Sequence, residues 1–240
     1  MKDLTRERPE ILAAAERKMH AWAMNEQLAD RADRFRVSEK RTQRAVKFVT
    51  ISRETGAGGS EIGAALAKRL GWQFFDRNLL DCMAEQFHLP RMMLDLVDET
   101  HCSWVYDVLG TWMDRKIVPH EKFVTCLSRV ISNAARQGNS VFIGRCAQFL
   151  LPRKEILAVR LIASPEYRIQ RVMARSGVGR SDARQQIAEL DGGRREFAER
   201  FFHHDITDPH LYDMVINVER CGVEKTVDEI VAAVEASAVG

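Results

Sequence analysis

Apolar residues follow two different periods along this chain, and the alternation between the periods predicts the order of its elements. Short β-rich apolar segments predict five strands, at 45–52, 72–76, 140–143, 156–163 and 214–218. Apolar residues at three- and four-residue spacings predict helices between them, at 61–70, 164–175, 181–203 and 224–238. Because strands that alternate with helices form parallel sheets covered on both faces, the pattern predicts a layered α/β domain.

Two further regions are predicted to be mainly helical, residues 1–44 and residues 78–137. The first stands apart from the main domain, 45–240, because it combines an apolar helical repeat with the charged stretch 30–36. Its repeat is formed by Ile11, Ala15, Met19 and Trp22. We expect this extension to pack on its own domain or to form a homodimer with a second copy; contact with RNA or another partner through its basic excess is the alternative.

Composition limits the classes of function. Hydrophobic residues make up 45%, enough for a full core, and the formal net charge of +2 argues against a dedicated nucleic-acid surface. No apolar run approaches the roughly 20 residues of a membrane span, and the N-terminus lacks the apolar core of a secretory signal. The five cysteines are scattered and form no Cys-x-x-Cys pair, which is typical of reduced thiols. We therefore expect a cytoplasmic protein that binds neither membranes nor nucleic acid.

A glycine-rich turn joins the first predicted strand to the helix that follows it, and its sequence is Thr55-Gly56-Ala57-Gly58-Gly59-Ser60. Such a turn lets backbone amides converge, and the helix N-terminus adds partial positive charge, so phosphate is the expected guest. A tight connection without a ligand is the alternative. In phosphate-binding loops of the pattern Gly-x-x-x-x-Gly-Lys-Ser/Thr, Gly59 would stand at the lysine. Arg53, at the strand end, is the candidate replacement for that charge.

Arginines in two places are candidates for phosphate contacts. Arg145 follows Gly144 at the end of the strand 140–143, where ligands bind in open α/β sheets, and could hold a phosphate with two parallel hydrogen bonds. A second set shares one predicted helix face or lies near the glycines beyond it: Arg168, Arg171, Arg175 and Arg194. Glycines lie at 176–180 and again at 191–195, and an arginine-rich, glycine-hinged segment of this kind is what a closing lid requires. A solvated helix pair is the alternative, and such arginines would contribute little to stability.

Taken together, these residues resemble the cytidylate kinase-like family of P-loop nucleoside monophosphate kinases, over residues 46–235. The segments that resemble it are Ile51-Ser52-Arg53-Glu54-Thr55-Gly56-Ala57-Gly58-Gly59, Phe75-Asp76, Gly144-Arg145-Cys146-Ala147, Ala163-Ser164-Pro165-Glu166-Tyr167-Arg168 with Arg171, Asp191 with Arg194, and Tyr212-Asp213-Met214-Val215-Ile216-Asn217. The resemblance implies a three-layer P-loop fold with a five-stranded parallel sheet. It also implies a helical monophosphate-binding insertion at 77–137 and an arginine-rich lid at 164–200.

The reaction that the resemblance implies is transfer of the γ-phosphoryl group of ATP to CMP or dCMP, with Mg²⁺ as cofactor. Two positions depart from the pattern of true cytidylate kinases. Gly59 replaces the loop lysine, and Cys146 replaces the aspartate that follows Gly-Arg and helps to recognise the nucleotide. The first departure concerns catalytic power and the second concerns the choice of pyrimidine.

The residues suggest the following division of roles. The nucleotide-binding set comprises Arg53, Gly56, Ala57, Gly58, Gly59 and Ser60, and the catalytic set comprises Arg145, Arg171, Arg175 and Arg194. Arg145 would hold the acceptor monophosphate, and the other arginines would close over the transferring group. No metal-ligating cluster is expected, because His203-His204-Asp205 lacks ligand spacing; Asp76 could be a structural or metal-side carboxylate. The alternative function is a nucleotide- or phosphate-binding regulator without useful kinase activity.

Overall fold

The computed structural model describes residues 46–76, 120–136 and 138–239. The expectations for the extension 1–44 lie outside these residues. So does most of the 77–137 insertion, of which only the helix at its end is described. Within the described part of the chain, no helix is long and apolar enough to cross a membrane.

The order of strands and helices follows the sequence pattern closely. The strands are β1 (Phe48–Arg53), β2 (Gln73–Phe75), β3 (Ser140–Ile143), β4 (Ile156–Ile162) and β5 (Met214–Asn217). The helices are α1 (Gly59–Leu70), α2 (His120–Ala135), α3 (Pro165–Ser176), α4 (Arg180–Phe202), the short α5 (Val218–Cys221) and α6 (Val223–Val239). Helix α1 begins two residues earlier than predicted, so Gly59 already belongs to its first turn.

All five strands form one parallel sheet in the order β2-β3-β1-β4-β5, which confirms the predicted fold class. The first strand lies at the centre, paired with β3 on one side and with β4 on the other. Ile51 pairs with Ile143 and with Val159 in the two registers. The glycine turn therefore leaves the middle of the sheet at its carboxyl edge, beside the end of β3, which is where ligands bind in such folds.

Two apolar clusters cover the two faces of the sheet. On one face, α1 and α6 pack against alternate strand residues such as Ile51 and Val159, which are buried. On the other face, α2 and the end of α4 pack around Phe142, which stacks on Phe75 with ring centroids 5.1 Å apart. Because successive side chains of a strand point to opposite faces, both clusters are supplied by the same strands. The core therefore fixes the carboxyl edge of β1 from both sides.

Helices α3 and α4 pack against each other, through a small apolar cluster that includes Ile169 and Ile187, beside that edge. Helix α3 starts as predicted, since the Ser164 hydroxyl caps it by accepting a hydrogen bond from the Tyr167 amide at 3.3 Å. It ends at Gly177, which adopts the left-handed conformation with φ of 66°. Helix α4 then runs without a break through Gly192-Gly193. This helix confirms the one predicted at 181–203, and Gly193 is buried within it.

Candidate functional site

The glycine turn takes a conformation that few other residues could adopt. Gly56 and Gly58 have φ of 87° and 85°, in the left-handed region. A Cβ on Gly56 would lie 2.7 Å from the backbone oxygen of Arg168, so α3 packs directly on the turn. Gly58 is the N-cap residue of α1 and, as a glycine, offers no side chain to cap that helix. Its first amides are consequently oriented toward the turn, as in the anion sites formed by helix N-termini.

A cleft of about 760 Å³ opens at this turn and brings together residues that are far apart in sequence. From the glycine turn it is lined by Gly56, Gly58, Gly59 and Ser60, and from elsewhere by Arg53, Asp76, Arg171, Arg175 and Arg194, among others. Ala57 differs from the predicted set. It is fully buried and its amide donates to the Glu54 carbonyl at 3.1 Å, so this amide closes the turn instead of facing a ligand.

Arg171 brings its guanidinium close to the helix N-terminus in this cleft. A Cβ on Gly58 would lie 3.7 Å from its Nη2. Nη2 also donates to Oε2 of Glu61 at 2.5 Å, and Nη1 donates to the Tyr167 hydroxyl at 3.1 Å. The hydrogen bond with Tyr167 and then the Glu61 carboxylate raise the pKa of Arg171 above its ordinary value. A positive charge is thus held beside the turn, with a half-exposed carboxylate as its partner.

Arg175 lies one helical turn beyond Arg171, and the two residues reach the same cleft as predicted. Its side chain is exposed, and with the described residues it forms no ion pair or hydrogen bond that would hold it in place. Arg168, which was predicted to share their face, does not line the cleft. It is turned inward, so that only 13% of its side chain is exposed.

Asp191 explains why Arg168 and Arg194 are held inside. Its Oδ1 accepts hydrogen bonds from the amide and the hydroxyl of Thr55, both at 2.8 Å, and from Nη1 of Arg194 at 3.0 Å. Its Oδ2 accepts from Nη1 of Arg168 at 2.6 Å. Glu54 adds a second carboxylate, 3.5 Å from Nε of Arg168. This carboxylate–arginine network ties the start of the glycine turn to α3 and α4.

The network changes the interpretation of Arg194. Sequence reasoning placed it in a solvated lid, yet its side chain is only 13% exposed and also donates to the Thr55 hydroxyl at 2.8 Å. We therefore expect Arg194 to contribute to stability, because removing it would take away one of the two arginines that pair with Asp191 in a largely buried place.

Arg145 lies behind the cleft. It is 6% exposed and has φ of 53°, followed by Cys146 with φ of 52°. Two consecutive left-handed residues other than glycine are unusual and are concentrated at functional sites. Arg145 lines a small pocket of about 30 Å³ that it shares with Arg53 and Arg194, both of which also line the large cleft. The structure therefore places it next to the predicted set, one layer further in.

A third pocket, of about 290 Å³, adjoins the same two arginines on the side of α4. Its lining contains six arginines: Arg53, Arg160, Arg168, Arg184, Arg194 and Arg195. Arg160 was missed by the sequence reasoning, although a charged residue in the middle of an apolar strand was a signal that could have found it. It is 6% exposed, its Nη1 donates to the Ser52 hydroxyl at 3.0 Å, and its guanidinium lies over the ring of Tyr212.

Metal ligands are sparse around the cleft. Within the described residues, no group of three or more His, Cys, Asp or Glu side chains could hold an ion. Ser60 directly follows Gly59 and so takes the hydroxyl position of the loop pattern. Asp76, at the end of β2, lines the same cleft. This donor set fits Mg²⁺, which usually keeps several waters and takes one or two protein ligands beside substrate phosphates.

Comparison with known proteins agrees with this geometry. The chain is 30% identical to a cytidylate kinase of Pyrococcus horikoshii and 33% identical to one of Thermococcus sibiricus, each over 102 residues. These alignments cover 42% of this chain, and 53% and 52% of the relatives, so the chain spans about half the length of the curated relatives it matches. A crystal structure of an uncharacterized protein from Eubacterium ventriosum has the same fold, with a TM-score of 0.60, 19% identity and coverage of 78% of this chain and 98% of that one.

The sequence profile of one family extends further than these pairwise matches. It covers residues 48–220, from the first strand through the glycine turn, the arginine network and the last strand. Because that range includes every element that builds the site, the chain belongs to the cytidylate kinase-like family.

Proposed function

We infer that the chain is a phosphotransferase that moves the γ-phosphoryl group of ATP to a nucleoside monophosphate, CMP or dCMP by resemblance. The observation that supports this most strongly is the cleft at the carboxyl ends of β1 and β3. There an N-terminus without a side-chain cap meets Arg53, Arg171 and Arg175. Phosphoryl transfer depends on positioning and charge neutralisation more than on covalent chemistry, and this arrangement offers both.

The donor phosphates would bind at the start of α1. The amides of Gly59 and Ser60 lie in its first turn, and Gly58 leaves space because a side chain is absent there. Arg171 would keep its position beside the turn and would donate to a phosphate oxygen in place of the Glu61 carboxylate. The exchange costs little, since the Arg171–Glu61 pair is partly solvated and such pairs contribute about 0–1 kcal/mol.

Mg²⁺ would be held by Ser60 and Asp76 together with phosphate oxygens and water. When bound, the ion neutralises charge on the donor phosphates. The protein's own contribution is then the orientation of the donor by the backbone of the turn and by Arg171. This is a role for hydrogen bonds that are already in place before the reaction begins.

The acceptor monophosphate would approach from the inner side, where Arg53 and Arg194 separate the cleft from the two smaller pockets. Arg145 and Arg160 add positive charge there, and both are almost fully buried. Arginine suits this role because its planar fork matches phosphate geometry. Cys146 offers a weak thiol donor in place of a carboxylate, so we expect weaker discrimination between cytosine and other bases than an aspartate would give.

A second function remains a candidate because of one observation. Gly59 has no side chain at the position where phosphate-binding loops carry lysine, which favours a regulator that binds nucleotide without transferring phosphate. The two functions share the binding step and differ only in turnover.

A coupled assay that detects ADP, run with ATP, MgCl₂ and each nucleoside monophosphate in turn, tests the proposal. We expect turnover with at least one acceptor, highest with CMP or dCMP, and loss of this turnover in Arg171→Ala. ATP binding without turnover on any acceptor would establish the regulator instead. Arg153→Ala is a matched control, because Arg153 pairs with Asp213 at the amino end of the strands, away from the cleft.

A further inference from the structure

Arg53 follows an unusual path across the site. It is the last residue of β1, and its aliphatic stem lies over the first residue of α1. A Cβ on Gly59 would lie 2.7 Å from Cγ of Arg53, 3.1 Å from its Cβ and 3.3 Å from its Cδ. The stem therefore occupies the space that a side chain at position 59 would need.

The end of the same side chain lies against β3. A Cβ on Gly144 would overlap with Nη1 of Arg53 and would lie 3.3 Å from its Cζ. Two glycines, one at each end, thus leave room for a single arginine side chain. Gly144 also has φ of 74°, so its backbone independently favours glycine, whereas Gly59 lies in an ordinary helical turn. At position 59, the contact with Arg53 is the constraint that excludes a larger residue.

This path brings the permanent positive charge of Arg53 to the cleft at the N-terminus of α1. Arg53, Gly59 and Ser60 line the cleft at the helix N-terminus, and Arg53 also lines both smaller pockets. Its backbone is fixed as well, since Nη1 of Arg194 donates to the Arg53 carbonyl at 3.3 Å. A guanidinium at this junction can contact donor and acceptor phosphates together, because it presents several donors in one plane.

We propose that Arg53 supplies, from the end of β1, the charge that lysine supplies from position 59 in other phosphate-binding loops. The two side chains exclude each other: Arg53 requires glycine at 59, and a lysine at 59 would require a small residue at 53. This rests on the proposed binding of donor phosphates at the glycine turn. It also predicts that Gly59→Lys by itself does not strengthen ATP binding, whereas the loop pattern alone suggests that it should.

The test is a cycle of four proteins: the wild type, Arg53→Ala, Gly59→Lys and the double variant. Each is titrated calorimetrically with ATP in MgCl₂, and the melting temperature is measured alongside. We expect Arg53→Ala to bind ATP about 10- to 100-fold more weakly, as for a lost charged hydrogen bond. Gly59→Lys should also weaken binding, because it displaces the Arg53 stem. The double variant should recover most of the affinity lost in Arg53→Ala.

Arg53→Gln separates charge from packing, since it keeps most of the stem that crosses Gly59. We expect it to bind ATP as weakly as Arg53→Ala while melting like the wild type, and Arg53→Lys to retain more affinity than either. If Arg53→Ala does not fold, Arg53→Gln decides. Wild-type affinity in Arg53→Gln, or a double variant no better than Arg53→Ala, would overturn the proposal in favour of Arg53 as a prop for the turn. If the wild type binds ATP but transfers phosphate to no monophosphate, the proposed function is contradicted. The ATP affinities of the four proteins would still test the role of Arg53.

Discussion

The arginines around the glycine turn fall into two layers with opposite properties. The inner arginines, Arg168 and Arg194, are each 13% exposed and share the carboxylate of Asp191. The outer arginines are Arg171, which is 35% exposed, and Arg175, which is exposed. All four lie on the same pair of helices and look alike in the sequence. What separates the two pairs is burial, which ties Arg168 and Arg194 to Asp191 and leaves Arg171 and Arg175 accessible to solvent.

The difference shows how one residue type can serve two purposes. An inner arginine cannot leave its partner without creating an uncompensated charge in a place that water hardly reaches. Under the proposed function, the outer Arg171 would exchange Glu61 for a phosphate oxygen at little cost, because solvent screens both states. The inner layer therefore holds the turn in its shape, and the outer layer is free to respond to what the turn binds.

Removing the shared carboxylate should have the largest effect on stability. Asp191→Ala removes the carboxylate that Arg168, Arg194 and the Thr55 amide share, and we expect a loss of about 3 kcal/mol or more in the free energy of unfolding. Urea denaturation measures it. The control is Asp228→Ala, which breaks the exposed pair with Arg69 and should cost at most about 1 kcal/mol. Equal losses in the two variants would show that the inner layer is not buried in solution.

Arg171→Ala should reverse that balance, with a small effect on stability and a large one on transfer. We expect kcat to fall about 10²-fold or more, as when one preorganised donor is removed, while the free energy of unfolding changes by less than about 1 kcal/mol. Arg180→Ala is the matched control, because Arg180 pairs with Glu166 on the same helices and does not line the cleft. A melting temperature that drops as far as in Asp191→Ala would place Arg171 in the inner layer.

Glu61→Gln should give the smallest effect, and its direction is informative. The substitution removes the carboxylate that competes with phosphate for Arg171. If that pair is worth up to about 1 kcal/mol, ATP should bind up to about fivefold more tightly. Fluorescence or calorimetric titration measures this change. Weaker binding would mean that Glu61 positions Arg171 for the ligand and does not compete with it.

The sequence predicted most of the fold because its signals are local. Short apolar runs such as Val141–Ile143 and the Ser164-Pro165 helix start depend only on neighbouring residues, and both are confirmed. The inner layer could not be predicted in this way. Arg168 and Asp191 are 23 residues apart, and their pairing depends on how α3 packs against α4.

Other features of the structure also depend on tertiary packing and could not be predicted from neighbouring residues. Gly192-Gly193 lies inside α4 although each glycine weakens a helix by about 1 kcal/mol, because tertiary packing of the buried Gly193 overrides that preference. Arg160 sits inside a strand where charge is not expected, and only the fold shows its partners, Ser52 and Tyr212. The path of Arg53 over Gly59 likewise depends on the spacing of β1, β3 and α1.

The central claim is that the glycine turn at α1 binds the donor phosphates, and two glycines of the same helix test it. Gly58 and Gly71 flank α1, both with positive φ, so valine at either position should cost a similar ~1–2 kcal/mol in backbone strain. Only Gly58 lines the cleft, and a Cβ on Gly71 would meet no described atom within 4 Å. We predict that calorimetric titration with ATP and MgCl₂ gives wild-type affinity for Gly71→Val and at least tenfold weaker binding, about 1.4 kcal/mol, for Gly58→Val. Equal affinity in the two variants would contradict the account.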